Sequence, residues 1–242
     1  MKIVAKTDVG MVRESNQDSY TTGELPNGVA WAVVCDGMGG AAGGNVASST
    51  AVKVIAEQIT SSFRPGMSAK SIKNMMVSAI NAANISVYDI SCSNSELYGM
   101  GTTVVCAIVM EHIAYIAHAG DSRAYIVSHG ALNQLTRDHS VVQELVEHGK
   151  ITALEGKWHP NKNIITRAVG VSREILVDFC EQEMKDGDVL LLCTDGLTNF
   201  VESDEMCDLT KDDMFYEFAE RLVDRANKNG GGDNVTVVAV TY

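Results

Sequence analysis

Short runs of β-branched and apolar residues alternate along this chain with longer stretches whose apolar positions recur three and four residues apart. The short runs predict strands at 2–6, 29–35, 102–109, 113–119, 123–127, 175–180, 189–193 and 235–241. Two consecutive helical patterns follow the second strand, near 45–63 and 69–90. In the later one Ile72, Met75, Met76, Ala79, Ile80 and Ala83 share a face. A further helix is predicted near 140–148, with Ser140 and Gln143 at capping-box spacing and Gly149 as its stop. The last, near 213–228, presents Phe215, Phe218 and Leu222 and ends in the glycines at 230–232. Strands in runs beside paired helices predict an α+β layered domain, not a doubly wound sheet. The stretch 150–169 is polar and without period, which places it on the surface.

Composition narrows this picture. The 242 residues contain three prolines and no Ser/Gly tract or charge block that reads as a linker, so 1–242 is expected to be one domain. Nineteen basic against 31 acidic residues leave a net charge of −12. A surface of that sign repels nucleic-acid phosphate and anionic lipid, so neither is an expected partner. No apolar run is long enough to span a bilayer, and the opening MKIVAKTDVG lacks a secretory apolar core. The six cysteines form no CxxC pair, and four lie in or beside apolar strand-like runs. A reduced, cytoplasmic protein is the expectation.

The chemistry gathers at strand ends. AWAVVC leads into Asp36-Gly37, IAYIAHA into Gly120-Asp121, LLLCT into Asp195-Gly196, and GGGDN sets Asp233 before VTVVAV. Singly, each reads as a turn. Together, they place carboxylates where strand ends of a layered sheet converge. Such a cluster repels itself by about 1–4 kcal/mol per pair near a surface, and a divalent cation removes that cost. Aspartate oxygens with water suit Mg or Mn, not zinc. A fifth aspartate, Asp18, follows Arg13 in RESNQD; beside an acidic metal site that arginine suits a bidentate phosphate clamp.

RESNQD, VVCDGMGG, GTTVV, AGDSRAY, LTRDHS, HPNKNIITRAVG, LLCTDGLTN and GGGDNVTVVAV stand in one order across 6–240. In that order the chain resembles the metal-dependent, type 2C serine/threonine protein phosphatases, and most closely their short bacterial members. The resemblance implies a four-layer α-β-β-α sandwich of two mainly antiparallel sheets flanked by helices, with a surface flap at about 150–169. It implies hydrolysis of phosphoserine and phosphothreonine monoesters by metal-activated water, without a covalent intermediate. Asp36 matches the residue that bridges two Mn or Mg ions, and the Gly37 carbonyl completes one coordination shell. Asp195 and Asp233 match the remaining core ligands, while Asp121 with Asp195 matches a weaker third site. Asp18 matches a carboxylate orienting metal-bound water, and Arg13 the phosphate-binding arginine. Phosphorylated proteins, a cognate Ser/Thr kinase among them, are the implied partners of a monomeric signalling enzyme. One position departs: where many eukaryotic relatives carry a histidine proposed as general acid, this chain has Met38, whose thioether donates no proton. By residue type alone, His139 and His159 are the alternatives; His118, in an apolar run, reads as a core histidine.

Other chemistries fit less well. Gly37-x-Gly39-x-x-Ala42 mimics a dinucleotide loop, but the helix after it leads into another helix, not a second strand. None of the six cysteines has an arginine six positions on, as a cysteine phosphatase requires, and neither HExxH nor a P-loop occurs. A phosphoprotein-holding module without activity would share the fold. The intact set Arg13, Asp18, Asp36, Asp121, Asp195 and Asp233 argues for catalysis instead.

Overall fold

Two antiparallel sheets lie face to face in the computed structural model, which describes residues 1–210 and 215–242 and only the backbone at 41 and 42. One sheet contains β1 (Lys2–Asp8), β7 (Arg123–Ser128), β8 (Ala131–Gln134), β10 (Val189–Cys193) and β11 (Val235–Thr241), in the order β1-β11-β10-β7-β8. The other contains β2 (Asp18–Leu25), β3 (Val29–Met38), β5 (Val104–Met110), β6 (Ile113–Ala119) and β9 (Asp178–Glu183), in the order β2-β3-β5-β6-β9; the short β4 (Gly101–Thr102) pairs with β3. Helices α1 (Gly40–Ser62) and α2 (Ala69–Ser93) cover the second sheet. Small helices α3 (Val141–Glu147), α4 (Ala153–Lys157), α5 (Asp195–Thr198) and α6 (Ser203–Leu209) precede α7 (Phe215–Lys228), which covers the first sheet. The result is the expected α-β-β-α sandwich.

Alternation within each strand builds the layers. In β3, Ala30, Ala32 and Val34 point between the sheets, while Val29, Trp31, Val33 and Cys35 point toward α1 and α2. In β11, Val238 and Val240 enter the inter-sheet core while Val235, Val237 and Ala239 meet α7. Strands buried on both faces show no polar alternation, hence their continuous apolar runs.

The structure also differs from the sequence reading. Strand β2 was not expected, because DSYTTGEL is polar and only half-buried as an edge strand. The strand expected at 175–180 begins instead at Asp178. The run 102–109 breaks at Thr103, whose amide donates to the Asp36 carbonyl and whose hydroxyl accepts from the Asp36 amide. Helix α1 starts at Gly40, through glycines that helix propensity disfavours. The expected start of the last helix, Asp213, lies outside the described residues. The stretch 150–169 is neither wholly irregular nor wholly superficial: Thr152 and Glu155 form a reciprocal capping box on α4, while Ala168 and Val169 are buried, Val169 bridging to Thr102. Ser140 caps α3 by accepting from the Gln143 amide, and Gly149 takes the left-handed conformation just beyond.

Candidate active site

Antiparallel pairing brings the C-terminal ends of β3, β6 and β10 to the same edge of the sandwich as the N-terminal ends of β2 and β11. Each of the five aspartates sits at one of these ends. Asp18 and Asp36 are direct cross-strand partners, Asp121 follows β6, Asp195 opens α5 after β10, and Asp233 precedes β11. Arg13, Asp36, Gly37, Asp121, Asp195 and Asp233 line one cleft of about 750 Å³. Asp18 is buried outside the cleft lining, against Thr194 and Thr236, whose hydroxyls donate to its Oδ2 at 2.9 and 2.7 Å. All seven residues expected at the site are thus brought together.

The electrostatics show what the arrangement lacks as a set of bare anions. Burial, then the charges of Asp18, Asp195, Asp121 and Asp233, push the Asp36 carboxyl well up. Asp18 rises to about 7, mainly by burial, against the two threonine hydrogen bonds; Asp121 also rises to about 7, by burial and then by the charge of Asp195. Asp195 is raised by burial and by Asp233. Among the described residues, Asp18 Oδ1 and Asp195 Oδ1 are buried with no hydrogen-bond partner. Unpaired buried carboxylate oxygens cost free energy unless something positive meets them. Among the described residues lining the cleft Arg13 is the one cation, its Nη2 donating to Asp233 Oδ2 at 2.9 Å, while the charge of Arg123, itself paired with Asp138, also reaches Asp121 and Asp195. An all-oxygen donor set with orphaned atoms fits divalent Mg or Mn.

The neighbouring turns hold these groups rigidly. A Cβ on Gly196 would stand 1.8 Å from the Asn234 carbonyl oxygen, so only glycine lets the Asp195 turn approach β11 this closely. Asn234 in turn fastens the loop carrying Arg13: its Nδ2 donates to the carbonyls of Val9 and Ser15, and its Oδ1 accepts from the Gln17 amide. Asn199 Nδ2 donates to Asp195 Oδ2. Thr103, Thr194, Thr236, Asn199 and Asn234 were not singled out from sequence, though each lies one to four residues from a motif aspartate or, for Thr103, within GTTVV. Neither histidine considered as a proton donor reaches the cleft. His159 lies on the outer stretch beside α4, and His139 is buried behind Gly120. His118 is buried as expected, but only its Nε2 is partnered.

Comparison with known proteins decides the family. The model of the family described as protein phosphatase 2C matches residues 12–236. The chain belongs to the protein phosphatase 2C family. As a member it is a protein serine/threonine phosphatase, a metal-dependent hydrolase. It is 38% identical over 236 residues to the serine/threonine phosphatase stp of Listeria monocytogenes, covering 97% of this chain and 93% of that protein. Its fold matches the Streptococcus agalactiae serine/threonine phosphatase with a TM-score of 0.93 at 32% identity, covering 100% of this chain and 99% of the other. The catalytic domain of the phosphatase PstP, solved in complex with two manganese ions, matches with a TM-score of 0.84 at 32% identity over 98% of this chain and 96% of its own. This family thus supplies the sandwich that was read from the eight motifs.

Proposed function

We propose that this chain hydrolyses phosphoserine and phosphothreonine monoesters in proteins with two Mn or Mg ions held by Asp36, the Gly37 carbonyl, Asp195 and Asp233. A weaker third ion would rest on Asp121 and Asp195. The observation that carries this reading is the convergence of five aspartates, two with orphaned buried oxygens, beside Arg13. When bound, the ions neutralise phosphate charge and lower the pKa of water in the site. The side chains do the rest. Arg13 spends one nitrogen on Asp233, leaving other N–H groups to hold phosphate oxygens. Asp18, its Oδ2 fixed by two threonines, keeps Oδ1 free and would orient water of the ion site from behind the cleft lining. No cysteine or histidine lies among the described cleft residues, which supports water as the nucleophile. Met38, at the cleft wall, has no proton to give; the leaving alkoxide would take its proton from water on the Asp121 side.

Asn163 and Ile165 also line the cleft, so the stretch 150–169 serves as a flap beside the phosphate within one catalytic unit, 1–242. The phosphoprotein substrates include a cognate Ser/Thr kinase, and the enzyme acts as a monomer in the cytoplasm. No helix among the described residues is long and apolar enough to cross a membrane, and the free cysteines suit a reducing compartment. The test is phosphothreonine-peptide hydrolysis with Mn and then with chelator. Asp36→Asn removes a shared ligand whose electrostatic work is several kcal/mol, so turnover should fall at least ~100-fold while the circular dichroism is unchanged. Near-normal turnover at saturating Mn would remove the two-ion assignment.

A further inference from the structure

Behind the cleft, His118, His139 and Asp178 lie with ligand atoms within 4.8 Å of one another, which suggests a second metal site. The hydrogen bonds contradict that. The two imidazoles stack in parallel, 4.8 Å between centroids and 4° apart, so their in-plane lone pairs do not converge. His118 Nε2 is taken by the Arg137 carbonyl at 2.9 Å. His139 Nδ1 accepts from the Gly120 amide at 3.0 Å, which leaves the proton on Nε2, and Nε2 donates to Asp178 Oδ2 at 3.2 Å. Asp178 is fixed in turn by Arg167 Nη1, which donates to its other oxygen at 2.7 Å. Among the ring nitrogens of this cluster, only His118 Nδ1 is unpartnered.

What this cluster grips is Gly120, the residue before Asp121. The His139 amide donates to the Gly120 carbonyl at 3.0 Å, while His139 Nδ1 takes the Gly120 amide proton. That carbonyl belongs to the peptide plane leading into Asp121, so the clamp sets the direction in which Asp121 leaves β6. Gly120 needs such a clamp. Its φ is +116°, and a Cβ there would stand 2.7 Å from Thr103, so no side chain of its own can steady it. On the far side, the Ser122 hydroxyl lies 2.6 Å from Thr103 Oγ1, which also accepts from the Asp36 amide. The Asp121 turn is therefore held between Thr103 and His139.

We infer that His139 is a positioning residue for the weaker ion, orienting Asp121 through Gly120 and itself oriented by Asp178 and Arg167. This rests on the reading of Asp121 as a ligand. It gives the histidine a role within the buried network without contact with substrate or ion. Partners of this kind typically change metal affinity by about 10–100-fold when removed.

The test uses the full chain, Mn titrated alone by calorimetry, and the Gly120 amide followed by hydrogen exchange. Asp121→Ala should abolish the weak binding phase and keep the tight one. His139→Leu should weaken that same phase by ~10-fold or more and speed Gly120 exchange. His139→Asn, whose Oδ1 can accept the Gly120 proton, should restore both; a merely space-filling histidine would be rescued by leucine, not asparagine. If His139→Leu melts too early to titrate, Asp178→Asn serves instead, and a weakened weak phase with an intact tight phase is expected. A weak phase lost in Asp121→Ala but untouched in both His139→Leu and Asp178→Asn overturns the positioning role alone. A titration unchanged in Asp121→Ala overturns the ligand reading and this inference with it.

Discussion

Arg13 and Asp121 line the same carboxylate cleft, and the roles proposed for them separate binding from proton delivery. Arg13 is more than half exposed and meets the cluster through one bond to Asp233; that hydrogen bond is the largest cause of its raised pKa. A guanidinium that holds phosphate in ground and transition state alike lowers KM more than it raises kcat. Arg13→Ala should therefore raise KM for phosphopeptide about 10-fold, the worth of one exposed charge-assisted contact, with a smaller change in kcat. Steady-state kinetics on one phosphothreonine peptide checks this; a fall confined to kcat would assign Arg13 to the transition state only. Asp121 makes the complementary prediction. A serine alkoxide needs a proton as it leaves, whereas p-nitrophenolate departs unaided. If water on the Asp121 side gives that proton, Asp121→Ala loses roughly 10²-fold or more in kcat on phosphopeptide and far less on p-nitrophenyl phosphate. Equal losses on both substrates defeat the proton role, and no loss on either returns Asp121 to a plain turn.

Elements with a continuous apolar run, an apolar face at helical spacing or a capping signal were legible in the sequence, and brief or polar edge elements were not. The predicted strands at 113–119, 189–193 and 235–241 coincide with β6, β10 and β11, because each is apolar on both sides. Strands β2 and β8 and the short helices α4, α5 and α6 went unread: they are brief or edge elements stabilised by neighbours, not by a period. The aspartates were legible as a set because four sit beside glycine at strand ends. Asn234 was not, since its worth lies in three bonds to a loop some 220 residues earlier. Those bonds yield a prediction at this scale. Asn234→Ala leaves two carbonyls and one amide to find other partners, at about 1–3 kcal/mol for a buried polar group left unpaired. The melting temperature should drop by several degrees, and KM should rise as in Arg13→Ala, because the loop that carries Arg13 loses its anchor. A drop in stability with unaltered KM would show that the loop is held elsewhere.

For the whole molecule, the five carboxylates make the fold a reservoir of charge whose stability depends jointly on protons and cations. Asp18 and Asp121 titrate near 7 when folded, against an ordinary value of 3.8. A group whose pKa is raised by folding contributes stability that is full below its unfolded value and is lost as pH climbs through the folded one. Without metal, these two residues therefore weaken the fold progressively between about pH 4 and 7. His118 and His139 oppose them: burial lowers both below 6.5, so their contribution is present at higher pH and lost on acidification. A simple melting curve against pH mixes the two signs. The difference between melting in Mn and melting in chelator at the same pH is dominated by the carboxylates, because His118 and His139 do not line the cleft. Cations must displace the carboxyl protons, so their affinity grows as those protons leave. Saturation at a hundred times the dissociation constant adds about 2.7 kcal/mol per ion, and that condition is met at lower Mn concentration as pH rises. The Mn-minus-chelator difference should thus be small near about pH 5.5 and clearly larger near about pH 7.5. Asp36→Asn, lacking one buried anion, should melt no lower than the parent chain in chelator and should show little of that difference at either pH. A difference that stays flat across this range in the parent chain would mean that protons and cations do not compete for the same oxygens.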